Sequence, residues 1–315
     1  MADTASGSST GTITAEMARW AAGLKFEDIP ASAVREARRY LLDTFGCALG
    51  GYAQEDVEIA LEVLDEIGGE GPGTVIGSGA RMDVVSAALA NALMVRVMDY
   101  NDIYWQQDPS HPSDIIPAAM ACAERAGKDG RELIVGIVLG HEFEMRLCEA
   151  AIPGIRERGW HHATLTAFVS PIVAGRILDL PWEQIQHAVG ISASRHATFG
   201  AVTAGKLTMM KNTVDPMATQ SGVLAALLAQ RGYTGPEHVL EGKEGIVHCL
   251  GPDWDLDVLT QDLGESWRIE RCGMKAFPTE ALTHTPISAV LDLVVGNDLS
   301  ADDVATVRIR STARS

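Results

Sequence analysis

The sequence has no CxxC pair: its five cysteines, Cys47, Cys122, Cys148, Cys249 and Cys272, are odd in number and far apart. This excludes a disulfide framework, and scattered thiols of this kind read as reduced and intracellular. The opening residues, MADTASGSSTGT, lack the basic and apolar regions of a secretory signal. No apolar run reaches the roughly 18 residues of a membrane helix, and the best, residues 87–98, is interrupted by Asn91 and Arg96. Cations are scarce, 25 Lys+Arg against 42 Asp+Glu, for a net charge of -17. That excludes nucleic acid and anionic membranes as partners, since phosphate contacts need clustered cations. A small anionic substrate stays open, because a pocket can be locally basic inside an acidic shell. A soluble, cytoplasmic protein is the expectation.

Generic chemical signatures are missing as well. The glycines of Gly68-Gly69-Glu70-Gly71-Pro72-Gly73 do not fit GxGxxG and precede a strand instead of following one. There is no Walker A lysine, no GxSxG elbow and no HExxH; His141-Glu142 starts like the last, but the residue four on from His141 is Met145. Adjacent His161 and His162 raise the question of a metal. Neighbouring histidines are expected to diverge in direction, however, and no acid or thiol stands at ligand spacing. Neither metal nor cofactor is expected. There is no internal repeat and no long linker.

What is there is a globular composition, 46% hydrophobic and 21% charged in 315 residues, enough for one large domain or two. A chain of this length buries about three quarters of its unfolded surface and needs no staple. Most of it reads as helix. Over residues 32–49, Val34, Ala37, Leu41, Phe45 and Ala48 form one apolar face, ended by Gly50-Gly51. Asp83 is placed to cap a helix running to Met98, and Ser113 or Asp114 another beginning at Ile115-Ile116-Pro117. Further helices are predicted over 131–150, 163–178, 182–193 and 217–230, all rich in alanine. The only strand expected in the first two thirds is Gly73-Thr74-Val75-Ile76-Gly77. From Ser266 the pattern changes: residues 267–271 alternate as a strand, Thr285-Pro286 opens a helix that Gly296 ends, and residues 307–310 alternate again. Strand, helix, strand opens an α+β module. The expected fold is mainly α, an all-helical domain over residues 1–265 followed by the start of a smaller α+β lid domain over 266–315 that reads as truncated.

Charged and imidazole residues gather at the edges of apolar helices: Asp99-Tyr100-Asn101-Asp102, Ser110-His111-Pro112-Ser113-Asp114, Gly159-Trp160-His161-His162, Lys206 and Lys211, and Met274-Lys275-Ala276-Phe277-Pro278. Each has a plain structural explanation. Asp99 can end a helix, His111 can cap one, Lys211 can be solvated and Lys275 can guard a strand edge. Convergence of two lysines, two histidines and an aspartate would instead suit a di- or tricarboxylate, since ammonium groups hold carboxylates and imidazole exchanges protons near neutral pH.

These blocks, in this order, together with the stretch after Lys211 and Thr283-His284, resemble the MmgE/PrpD family from about Ala15 to the end of the chain. The family includes 2-methylcitrate dehydratase, cis-aconitate decarboxylase and iminodisuccinate epimerase. The resemblance implies a helical domain with a smaller α+β lid, a cleft site between them, a homodimer, and metal-free chemistry on small polycarboxylates. Carried over by position, Asp99, His111 and His161 would be catalytic, while Lys211, Lys275 and His284 would bind substrate. Two departures stand out: Ile103 occupies a position where many members have threonine, and family members continue well past Ser315. The HPSD-I-I-P form leans toward dehydration of a hydroxy-polycarboxylate such as 2-methylcitrate. Decarboxylation or epimerisation on the same scaffold, and a non-catalytic paralogue acting through dimerisation, are the alternatives.

Overall fold

Helices that are apolar on every side must be enclosed, and the architecture follows from which helices those are. A computed structural model describes residues 11–251 and 253–310. Its helices are α1 (Ile13–Gly23), α2 (Ala31–Gly51), α3 (Glu55–Ile67), α4 (Val84–Arg96), α5 (Ile116–Ala126), α6 (Gly130–Ala150), α7 (Ala163–Ile177), α8 (Trp182–Arg195), α9 (Met210–Gln230), α10 (Ile246–Leu250) and α11 (His284–Gly296). Every residue of α7 is buried, and so is all of α4 except Val85. α7 lies between α6, α8 and α9, and α4 packs on α2, α5 and α9. Small residues set the closest approach. Gly222 of α9 sits so tightly against Ser170 and Pro171 of α7 that no Cβ fits, and Ser170 Oγ donates to Thr219 O at 2.8 Å. The mainly helical expectation holds, and no helix among the described residues is long and apolar enough to cross a membrane.

Boundaries and faces move slightly. Asp83 caps α4 as expected, accepting from Val85 N and Ser86 N. α2 buries Ala37 and Ala48 as expected, while Val34, Leu41 and Phe45 are only partly buried and Ala33, Tyr40, Thr44 and Cys47, one position earlier, are buried instead. It turns Tyr40 inward, where the phenol donates to Cys272 O, a partner invisible to a hydrophobic pattern. Neither Ser113 nor Asp114 caps α5: residues Pro112–Ile115 form a 3-10 turn, and both side chains are engaged elsewhere.

The strand expectations are corrected more heavily. The stretch 73–77 contributes only β1 (Gly73–Thr74), paired antiparallel with β2 (Arg81–Met82). Gly77 then turns the chain at φ +91°, and the buried Asn91 accepts from Ile76 N and donates to Thr74 O. Two further antiparallel pairs are too short to show a period: β3 (Tyr104–Trp105) with β4 (Pro109–Ser110), and β5 (Ala151–Ile152) with the distant β6 (Asp253–Trp254). Residues 267–271 are not a strand; Arg268–Arg271 is a 3-10 turn docked on α6. Arg268 turns inward to pair with Glu142 and Glu149, and the fully buried Arg146 bridges Glu142 to the carbonyls of Val258 and Gln261. Residues 307–310 form no strand either; they are exposed, and lone strand backbone lacks the partner that would stabilise it. α11 forms as expected, one residue earlier than predicted.

Candidate functional site

Residues 99–114 form the frame of the site. The β3–β4 pair sets Tyr104 opposite Ser110, so the chain returns with His111 beside Asp102. His111 Nδ1 lies 2.6 Å from Asp102 O. A carbonyl only accepts, so Nδ1 carries the hydrogen and Nε2 keeps its lone pair. His111 precedes the 3-10 turn without a side-chain capping bond, which removes the capping explanation. Ser113 donates from Oγ to Asp102 Oδ1 at 2.6 Å, and Asn101 Nδ2 donates to Ser113 Oγ and Asp114 Oδ1. Below them, Asp102 Oδ2 stands 3.2 Å from His141 Nε2.

Asp99 reverses the chain after α4 at φ +52°, which turns its carboxylate into a cluster of cations. It accepts from Arg96 at 2.6 Å, Lys211 Nζ at 2.6 Å and Lys275 Nζ at 2.7 Å. Burial would raise its pKa, but Arg96, Lys275 and Lys211 together hold it far below the usual carboxylate range. Lys211 stands in the first turn of α9, which begins at Met210 and not at the expected 217. Lys206 remains exposed in the loop before it. Lys275 arrives on a segment clipped to the frame by paired backbone bonds, Ile103 N to Gly273 O at 2.8 Å and Gly273 N to Ile103 O at 3.0 Å. Its side chain is almost fully enclosed, and burial lowers its pKa against the opposing pull of Asp99. Ile103 therefore contributes mainly backbone here. The carboxylate of Asp99 makes no hydrogen bond to His111; the orienting partner of that ring is the Asp102 carbonyl.

The third wall is the loop before α7. Gly159 at φ +83° turns it, and His161 N donates to Thr198 O at 2.8 Å. The expected divergence of His161 and His162 is corrected: their rings stack with centroids 3.9 Å apart, and His162 meets the His111 ring at 5.4 Å. An acid also reaches them. Asp215, one turn beyond Lys211 on α9, puts Oδ1 3.4 Å from His162 Nε2. His161 Nδ1 accepts from Ala163 N at 3.2 Å, leaving Nε2–H as a donor. Burial lowers the pKa of His111 well below its ordinary value and that of His161 to about 3, with the Arg96 charge acting on His111 and the neighbouring His162 on His161. Both rings are neutral at pH 7.

Five of the six residues singled out in the sequence thus converge: Asp99, His111, His161, Lys211 and Lys275. His284 stands apart at the start of α11, its ring against Phe277 at 5.3 Å. Arg96 is the centre that sequence reasoning missed. It faces Asp99, Asp114 and Asp215, and burial raises the pKa of Asp114 against that cation. The signal was there, since Arg96 breaks an otherwise apolar helix. Glu144, accepting from Ser110 and Thr166, is pushed up to about 8 by burial. Two open clefts of the surface, lined by residues such as Phe26, Arg35 and Trp267, share no residue with this cluster.

A buried imidazole whose Nδ1 carries the hydrogen, a second imidazole with a donor nitrogen, and two ammonium groups are the group types that proton transfer on an anion uses. Against known families, residues 15–259 match the MmgE/PrpD N-terminal domain. The chain belongs to the MmgE/PrpD family. Among curated MmgE/PrpD relatives, a cis-aconitate decarboxylase-like protein, oryM, of Aspergillus oryzae is 29% identical over 89% of this chain and 61% of its own length. The 2-methylcitrate dehydratase of Cupriavidus necator is 27% identical, with 87% of this chain and 60% of the relative covered. Human cis-aconitate decarboxylase is 26% identical, with 87% and 58% covered. The chain spans about three fifths of the length of these relatives.

Proposed function

We propose that this MmgE/PrpD chain carries the proton-transfer half of a lyase site that dehydrates a small hydroxy-polycarboxylate such as 2-methylcitrate, using side chains alone. The observation that carries the reading is His111: Nδ1 is committed to the Asp102 carbonyl at 2.6 Å, so Nε2 is free to take a proton beside the lysine pair. In the elimination, Nε2 removes a proton from the carbon next to a substrate carboxylate. The C=C bond forms as the C–O bond breaks; His161 assists by donating its Nε2–H to the departing oxygen, and an ammonium group returns a proton to it, giving water. Lys211 and Lys275, which share the Asp99 carboxylate without substrate, turn to the substrate carboxylates, while Asp99 accepts from the substrate hydroxyl. Loss of CO₂ from an alkene tricarboxylate calls first for an acid at carbon, which a neutral imidazole supports less well. The names of the relatives include both activities at similar identity and do not choose between them.

The same reading takes residues 266–315 as the opening of a lid and the working form as a cytoplasmic homodimer. Apolar side chains exposed ahead of α9 and at its start, among them Phe199, Leu207 and Met210, offer a face for the second copy. Light scattering tests that point. For the reaction, the chain and a form extended to the relatives' length are incubated with 2-methylcitrate, citrate and cis-aconitate, with products identified by mass. Loss of water supports the proposal; loss of CO₂ from cis-aconitate replaces it. His111→Asn retains a donor and the fold but removes the base, and is expected to lower the rate by about 10²–10⁴. Near-full activity in that variant would remove His111 from the chemistry.

A further inference from the structure

Buried polar atoms are normally paired, and each exception asks for an occupant. Among the described residues, two clusters of potential ligand side chains lie in the body of the fold: Asp102, His141 and Cys272, and His161, His162 and Asp215. The first is satisfied from within. His141 faces Ile137 O through Nδ1 and Asp102 through Nε2, while the Cys272 thiol donates toward Asp102 and Ile103 O. In the second, His162 Nε2 and both carboxylate oxygens of Asp215 are buried without a hydrogen bond. Arg96 Nε stands 3.8 Å from Asp215 Oδ2, also unbonded, so the cation nearby does not settle that carboxylate.

The spacing suits a metal better than a hydrogen bond. One ligand atom from each of His161, His162 and Asp215 lies within 4.8 Å of the others. Ligands at roughly 2.0–2.1 Å from a tetrahedral ion stand about 3.3 Å apart. His162 Nε2 and Asp215 Oδ1 are already 3.4 Å apart. His161 supplies one ring nitrogen: Nδ1 by giving up its 3.2 Å acceptor contact with Ala163 N, or Nε2 by moving its hydrogen to Nδ1. Two imidazoles and one carboxylate select a borderline divalent transition ion over magnesium or calcium, which take oxygen ligands. The ligands come from two elements, the loop before α7 and the second turn of α9, held together by the close α7–α9 packing.

We infer that His161, His162 and Asp215 form a site for a borderline divalent transition-metal ion, of which Zn²⁺ and Co²⁺ are probes, and that its occupation inhibits the enzyme by sequestering His161. The inhibitory part rests on the proposed function; the binding part does not. The test titrates the untagged chain with Co²⁺ and follows visible d–d absorption. One equivalent is expected to give the band of a four- or five-coordinate nitrogen–oxygen site, displaced by Zn²⁺. His162→Gln and Asp215→Asn should each lose the band at stoichiometric cobalt, and Zn²⁺ should raise the melting temperature of the parent chain but of neither variant. Absence of the band in the parent chain, or a band unchanged in both variants, overturns the site. In the catalytically competent form, Zn²⁺ should inhibit the parent and spare His162→Gln, and a chelator should restore activity. Zinc bound at this site with turnover undiminished overturns the inhibitory part and removes His161 from the chemistry, leaving the His111 proposal to its own test.

Discussion

α7 and α11 are equally apolar in sequence and meet opposite fates. Every residue of α7 is buried, whereas α11 buries none, and no described residue after Lys275 is buried. The difference lies in the surroundings. α7 has α6, α8 and α9 around it, while α11 touches mainly the short turn Ala281–Thr283. Apolar sequence supplies a driving force of about 25 cal/mol per Å² only where another apolar surface is there to receive it. The boundary between the two regimes falls at Lys275, the last buried residue among those described, which is also a candidate site residue. The segment carrying it is well anchored, through Tyr40, Ile103 and the Arg268–Glu149 pair.

The contrast can be broken by mutation. The largest effect is expected in the body: Phe143→Ala on α6, a fully buried ring edge-on to Trp20, should lower the unfolding free energy by about 3–5 kcal/mol in urea titrations. A cost below about 1 kcal/mol would mean that α6 is less tightly enclosed than described. At the boundary, Lys275→Met keeps the aliphatic stem and removes the charge. Its charge-assisted contact is worth about 1.5–3 kcal/mol, so substrate binding should weaken about tenfold or more in calorimetry, with Lys211→Met behaving alike. Unchanged affinity in both variants would take the lysines out of the site. The smallest effect belongs to α11: Leu293→Ala, at 61% exposure, should change stability by no more than about 0.5 kcal/mol. A loss comparable to that of Phe143→Ala would show that α11 is covered in solution.

Helix periodicity and capping were legible in the sequence. Asp83 capped where it was expected to, and the helices over 31–51, 130–150, 163–177 and 182–195 were anticipated to within a few residues. The alternation at 267–271 misled, because a strand needs a neighbour and Arg268 found carboxylates on α6 instead. Ser113 and Asp114 read as caps for a similar reason. Local pattern favoured the helix end, but Asp102, Asn101 and Arg96 claimed those side chains through long-range contacts. Arg96 and Asp215 were visible as charges within apolar helices, yet nothing in their spacing linked them to each other or to His162.

By itself, the sequence determined the helical class, the anionic balance, and the presence of histidine, lysine and aspartate at the edges of apolar helices. Periodicity, capping and composition act over a few residues and are written locally. Tertiary structure alone decided that Asp99 would gather three cations from α4, α9 and the segment after Gly273, that His111 would lean on a carbonyl and not on Asp99, and that His161 and His162 would stack beside Asp215. Those contacts join residues up to 176 positions apart. Charge and hydrogen-bond energies depend on distance and burial in the folded chain, and neither is encoded in the spacing of residues along it.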